Sequence, residues 1–366
     1  MGSIAGVPIL LAPSWLLVAG LVTVLFAPVV ANRLPEIGAA RYLVAFVFAV
    51  LLYASVFIHE LGHSLVALKY GLTVRRITLH ALGGVSEIEE EAPTPGREFA
   101  IAAAGPALSL ALGVVGLTAL QLLTVPPVVE VLLLQLTVAN FLVGVFNLLP
   151  GLPLDGGRVL RAGIWAVTGR SDSATGIAAN AGRVTAGFVL LIPFLLAAAT
   201  GNPPSIVGVI WAVLIATFIW QGATDAQRSS VVRRRLPGLR AATLARRATT
   251  VSGDVSVAEA VRRAAASHSG AVVVVDSAER PVGIVQEAAV QAVPPQRRPW
   301  VPVRDLARSL ADAPPIRDDL AGEQLLAAFE GSPAGDRLVL SADGTVYGVI
   351  NTVDLERALG LRQPGR

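Results

Sequence analysis

Residues 42–68 read YLVAFVFAVLLYASVFIHELGHSLVAL, and the fold turns on how this stretch is read. It is longer than the roughly 20 apolar residues a helix needs to cross a hydrocarbon core. Yet His59, Glu60 and His63 stand near its inner end. An ionisable side chain at mid-membrane costs about 2.5–3.5 kcal/mol even on the gentler scales, so three together call for a function. On a helix, positions i and i+4 differ by only about 40°, so His59 and His63 point the same way and can hold one metal ion. Glu60 lies next to that face, where it can take a proton from a water that the metal activates. The chain has 4 histidines and 0 cysteines, so two of its few imidazoles sit at this spacing and any metal must use His, Asp or Glu. Zinc suits such ligands and has no redox chemistry of its own.

The rest of the chain supports a membrane reading. Of 366 residues 54% are hydrophobic and 15% charged, and the mean hydropathy is +0.65, too apolar for a soluble protein of this length. Apolar stretches at 8–30, 42–68, 98–122, 127–148, 183–200 and 204–222 are each read as a transmembrane helix. The first has no basic residue ahead of its apolar run and is read as a retained helix, not a signal peptide. One set of connections carries Lys69, Arg75, Arg76, Arg97, Arg158, Arg161 and Arg170, against Arg33 and Arg41 on the other. The positive-inside bias puts the first set and both termini in the cytoplasm, and Arg233, Arg234 and Arg235 after the last span agree. The expectation is a multi-pass cell-membrane protein. A formal net charge of +3 gives no reason to invoke nucleic acid.

Two helix-borne histidines leave a zinc site short of a ligand. The fourth span ends in NLLPGLPLDGGR, residues 147–158, where Pro150, Pro153 and the glycines stop a regular helix. Irregular backbone at membrane depth is tolerated only beside protein or a watery cavity. Asp155 is therefore well placed to reach the metal, and Asn147, one or two turns earlier, offers an uncharged donor to an oxyanion.

These segments closely resemble the site-2 protease family of intramembrane zinc metalloproteases. The matching pieces are HELGHS at 59–64, LGGVSEI at 82–88, AAAGPALSL at 102–110 and NLLPGLPLDGGR at 147–158. The resemblance implies zinc on His59, His63 and Asp155, Glu60 as general base and acid, and Asn147 in substrate or transition-state binding. It also implies membrane-protein substrates: anti-sigma factors, pro-sigma factors, membrane-bound transcription factors or signal-peptide remnants. A regulated channel or transporter would explain intramembrane charge too, but requires neither a carboxylate between two histidines nor the distant proline-rich loop.

Between the second and third spans, Leu72 to Glu91 alternates weakly and reads as a hairpin carrying Gly83 and Gly84. It could hold an extended substrate segment by backbone pairing, or be a structural loop with turn glycines. His80, a lone histidine here, reads as structural.

Residues 1–225 are thus expected to form the metalloprotease domain, 226–246 a basic linker and 247–366 an α/β domain. In the last, helices at 258–266 and 319–329 and strands at 271–275, 281–285, 337–340 and 346–350 recur. Asp254 maps to Asp319 and Gly283 to Gly348, 65 residues apart in both cases, which argues for a duplicated unit. The unit resembles a tandem of cystathionine-β-synthase-type (CBS) modules. That resemblance implies a site for ATP or another adenine nucleotide with Asp354 on the ribose, although Asn351 stands where Thr or Ser is usual and the first copy lacks the aspartate. A purely structural pair, or one that makes a homodimer, fits the same residues.

Overall fold

The computed structural model describes residues 2–80, 83–310, 314–329 and 335–360. Leu82 of the LGGVSEI segment and the C-terminal stretch 361–366 lie outside the described residues. The chain divides into two compact units, Met1–Gln227 and Arg228–Arg366.

The first unit opens with strands β1 (Gly2–Ile4) and β2 (Val7–Leu11), followed by helices α1 (Trp15–Arg33) and α2 (Arg41–Lys69). Strands β3 (Val74–His80) and β4 (Gly83–Ile88) precede α3 (Pro95–Leu122) and α4 (Pro127–Asn147). Then come α5 (Asp155–Thr168), α6 (Ser171–Thr200) and α7 (Ile206–Arg235). Among these, 6 helical segments are long and apolar enough to cross a membrane, α5 being the one that is not. Many of their large side chains point outward: Leu17 is 77% exposed, Val115 64% and Val184 74%. An apolar belt of that extent is untenable in water and natural in lipid. The protein is a multi-pass membrane protein with a C-terminal α/β region, the fold class expected from its sequence.

Three expected spans begin or end elsewhere. The run 8–30 is not helical from its start, because Ile9, Leu10 and Leu11 pair in parallel with Ile77, Thr78 and Leu79. Pro13 then separates strand from helix. Short apolar strands and helices look alike by composition alone. The span read as 183–200 is the last part of a helix from Ser171, whose first turns are rich in Ala, Ser and Thr and fall below a hydropathy threshold. The last span continues through its basic end to Arg235.

The hairpin read between the second and third spans is present. β3 and β4 pair antiparallel from Val74↔Ile88 to His80↔Gly83, completing a sheet in the order β1-β2-β3-β4. Ile77, buried to 0% exposure, and Leu72 and Val74 seat this sheet on Ala67 of α2 and Ile101 of α3. β4 is one of the two edge strands of this sheet, β1 being the other.

The loop between α4 and α5 has no ladder of its own, and α6 supplies its partners. Leu152 N–H donates to Ala178 O at 3.1 Å, and Thr185 Oγ1 donates to Pro150 O at 2.8 Å. This close approach needs glycine: a Cβ on Gly182 would fall on the Leu152 carbonyl oxygen.

The second unit begins with α8 (Ala241–Leu244), β5 (Arg246–Ser252), α9 (Val257–Ala266), β6 (Ala271–Val275), β7 (Pro281–Val285), α10 (Glu287–Ala292) and β8 (Ala307–Ser309). It continues with β9 (Ile316–Arg317), α11 (Gly322–Phe329), β10 (Asp336–Leu340), β11 (Val346–Asn351) and α12 (Thr352–Leu359). One sheet of 7 strands runs β8-β7-β6-β5-β11-β10-β9. In each copy a strand, a helix and a parallel strand lead to an antiparallel one, as duplication requires. Val273 and Ile284 from the first copy share a core cluster with Leu338 and Val349 from the second, so neither copy buries its apolar face alone.

Gly182→Ala overpacks the contact between α6 and the 148–154 loop. It is expected to cost about 1–3 kcal/mol, read as a lower unfolding temperature in detergent micelles.

Candidate metal centre and catalytic site

The histidines of α2 face inward and meet α3 and α5. His59 and His63 are each 4% exposed. His63 Nδ1 lies 2.7 Å from the carbonyl oxygen of Ile101 in α3. A carbonyl can only accept, so this nitrogen carries the proton and Nε2 presents its lone pair. His59 Nδ1 lies 2.9 Å from Ser109 Oγ of α3, a hydroxyl able to accept its proton. Both rings are thus turned with Nε2 toward one point.

Asp155, the first residue of α5, reaches that point. Its Oδ2 lies 3.1 Å from His59 Nε2 and 3.2 Å from His63 Nε2, and the two Nε2 atoms are 3.3 Å apart. Ligand atoms of the three residues fall within 4.8 Å of one another. Donors bound tetrahedrally to zinc at about 2.0–2.1 Å stand about 3.3 Å from each other. The spacing and the imidazole–imidazole–carboxylate chemistry both fit zinc. α3 comes close enough only because residue 105 is glycine: a Cβ there would collide with His63 Nε2 and lie 2.7 Å from His59 Nε2.

Asp155 is fixed by charges one and two turns further along α5. Arg158 Nε donates to Glu98 Oε1 at 3.0 Å, and Arg161 Nη2 approaches the same oxygen at 3.1 Å. Glu98 sits in the first turns of α3 and is 1% exposed. A carboxylate so buried is tolerable only because two guanidinium groups meet it. The network pins α5, and with it Asp155, to the helix that orients both imidazoles.

A cavity of about 670 Å³ opens beside this cluster. His59, Glu60, His63, Gly83, Gly84, Asn147 and Asp155 all line it, along with Arg158. The Glu60 carboxylate accepts a hydrogen bond from Ser86 Oγ of β4 at 2.8 Å. β4 therefore supplies one wall of the cavity, and the end of α4 another. His80, exposed in β3, is not among the lining residues.

Asp354 belongs to the second unit. Its Oδ1 accepts from Arg357 Nη1 at 3.0 Å, and its Oδ2 lies 3.5 Å from Arg246 Nε. Arg246 lines a cavity of about 320 Å³ with Gln286, Glu287, Arg308, Asp336 and Asn351, and Asp354 is not part of that lining. Asn351 caps α12, accepting from Val353 N–H at 2.8 Å and donating to Asp336 Oδ1 at 2.8 Å.

Ser109, Ile101, Glu98 and Ser86 support the site without any motif pointing to them individually. Glu98 alone carried a signal, being an acidic residue at the head of an apolar span. Ser109 falls within AAAGPALSL, but nothing in that string says which residue faces an imidazole.

The model for peptidase family M50 matches residues 47–132 and 124–193. Rip3 of Mycobacterium tuberculosis, which carries a provisional zinc-metalloprotease name, is 35% identical over 319 residues, 85% of this chain and 79% of that protein. The similarly named sll0528 protein of Synechocystis is 38% identical over 242 residues, 64% of this chain and 61% of the relative's length. Among solved structures, the site-2 protease of Methanocaldococcus jannaschii is 32% identical with a TM-score of 0.42, covering 62% of this chain and 94% of that one.

Glu98→Ala strands Arg158 beside the site and leaves Arg161 only Glu91, at 3.6 Å. Breaking a buried pair in this way typically costs about 3–5 kcal/mol, and the expected outcome is a lower unfolding temperature together with reduced bound zinc by elemental analysis.

Proposed function

We propose that this chain, which belongs to peptidase family M50, the site-2 proteases, hydrolyses peptide bonds of transmembrane or membrane-proximal segments of other membrane proteins. The observation that carries the reading is the meeting of His59, His63 and Asp155 in one cavity with Glu60.

His59, His63 and Asp155 would hold zinc. Bound there, the ion would supply a Lewis acid that polarises water and the scissile carbonyl. The chain's own residues carry the proton work. Glu60 takes a proton from the attacking water and returns it to the leaving amine as the C–N bond breaks. Asn147, on the α4 wall, offers its amide N–H to the negative charge developing on the carbonyl oxygen. Gly83 and Gly84 sit at the free edge of β4, where an extended substrate segment can add as a further strand. Backbone pairing gives affinity there, and neighbouring pockets give side-chain preference. Because a transmembrane helix must unwind before hydrolysis, a strand edge beside the reacting bond is an apt receiver. The excess of Lys and Arg in one set of connections supports a cytoplasmic side for this edge, both termini and the site. An anti-sigma factor, pro-sigma factor, membrane-tethered transcription factor or signal-peptide remnant has the required form.

Catalysis belongs to residues 1–225, and residues 247–366 regulate it. The cavity lined by Arg246 and Arg308, with Glu287 and Asp336 beside them, offers two guanidinium groups to the phosphates of an adenine nucleotide. Asp354, which lies against Arg246, would bind its ribose after releasing the arginine. Titration of the full-length protein in detergent with ATP, ADP and AMP would give heat for the wild type and none for Asp354→Ala; silence from the wild type rules the nucleotide out.

Glu60→Gln should retain one zinc and lose cleavage of a membrane-anchored reporter, whereas Asp155→Ala should lose the metal as well. Asn147→Ala should lower kcat by about 10²–10³-fold, the usual loss for one oxyanion donor. Cleavage surviving in Glu60→Gln would exclude the assigned base.

A further inference from the structure

The hairpin touches the catalytic centre at one polar point. Ser86 Oγ lies 2.8 Å from Glu60 Oε2 and 3.1 Å from the Glu60 backbone oxygen. Ser64 Oγ, one turn further along α2 and 0% exposed, lies 3.1 Å from Ser86 Oγ. A hydroxyl has one proton and two lone pairs. Ser86 gives its proton to the nearer, charged acceptor, the carboxylate, and accepts the proton of Ser64. The result is a directed relay, Ser64 to Ser86 to Glu60.

Two residues before Ser86, on the same face of β4, stands Gly84. A Cβ there would collide with Glu60 Cγ and lie 3.1 Å from Cδ. The strand therefore clears space for the glutamate stem at one position and grips its head at the next inward-facing one. Glu87, on the opposite face, is tied instead to Arg76 at 2.7 Å. A glutamate has several side-chain torsions, and leaving them free while it must act on one water is costly. Misplacement of a reacting group by about 1 Å can cost about 10²-fold in rate.

We infer that Ser86 is a positioning residue: its hydroxyl holds the Glu60 carboxylate toward the His59–His63–Asp155 cluster, so the edge strand offered to substrate also sets the general base. The inference rests on the peptidase reading, since it gives Ser86 a task only if Glu60 moves protons. Ser64 acts through Ser86 by orienting its hydroxyl.

The test uses the full-length protein in detergent, with zinc content, reporter cleavage and the affinity of a peptide hydroxamate measured side by side. A hydroxamate binds zinc and also hydrogen-bonds the general base, so its affinity reads the position of Glu60 without turnover. Ser86→Ala should keep its zinc, lose about 10–100-fold in kcat with KM within about threefold, and bind the hydroxamate about tenfold more weakly. Ser86→Thr, which keeps the hydroxyl, should restore kcat to within about fivefold. Ser64→Ala should shift kcat the same way by less. A Ser86→Ala protein that matches wild type, or that suffers only in KM, overturns the role, as does a Thr variant no better than Ala. Those results leave the peptidase reading standing if wild type cleaves. A zinc-loaded wild type that neither cleaves nor binds the hydroxamate overturns both.

Discussion

Everything in the membrane unit depends on holding two imidazoles and a carboxylate against each other inside a layer that penalises each of them. Left alone, each polar group at that depth costs several kcal/mol. Here each is answered: His63 by the Ile101 carbonyl, His59 by Ser109, and Asp155 by the two rings. The helices do not simply pack and then acquire a site. α3 carries Gly105 where the imidazoles need room and Glu98 where the arginines of α5 need a partner. One helix thereby orients all three metal-facing groups. The neighbouring polar pair, Asn140 Nδ2 to Ser55 Oγ at 3.2 Å, ties α4 to α2 one turn before His59.

The proline-rich loop illustrates the same constraint. A regular helix satisfies its own backbone, and residues 148–154 do not form one. Their amide and carbonyl groups turn to α6, whose Gly182 admits them closely. Irregular backbone thus puts Asp155 at the start of a new helix, aimed at the histidines. A straight continuation of α4 would have carried it past them.

Much of this was legible in the sequence, because the strongest signals were those that membrane physics makes expensive. An i, i+4 histidine pair flanking a glutamate in an apolar run has little use besides metal chemistry, and the aspartate of the proline-rich loop stands beside the pair. The hairpin and the duplicated C-terminal unit also showed, through turn glycines and a repeated spacing. Less legible was whatever depends on tertiary partners. Residues 9–11 look like the head of a transmembrane helix until β3 offers a strand to pair with. The first turns of α6 are too small and polar to register as a span, yet their small side chains let α5 and the loop pack close. Ser86 and Ser109 are ordinary serines in sequence. Only their distances to Glu60 and His59 distinguish them. The second unit adds its own case: the resemblance to CBS modules singles out Asp354 for a ribose, and its partners here are Arg246 and Arg357.

The most direct measurement is zinc-edge X-ray absorption on the full-length protein purified in detergent. The expected spectrum is that of one zinc per chain with two imidazole nitrogens and at least one carboxylate oxygen at about 2.0–2.2 Å. A protein that takes up no zinc, or whose zinc shell contains no imidazole, would contradict the convergence of His59, His63 and Asp155 on a metal.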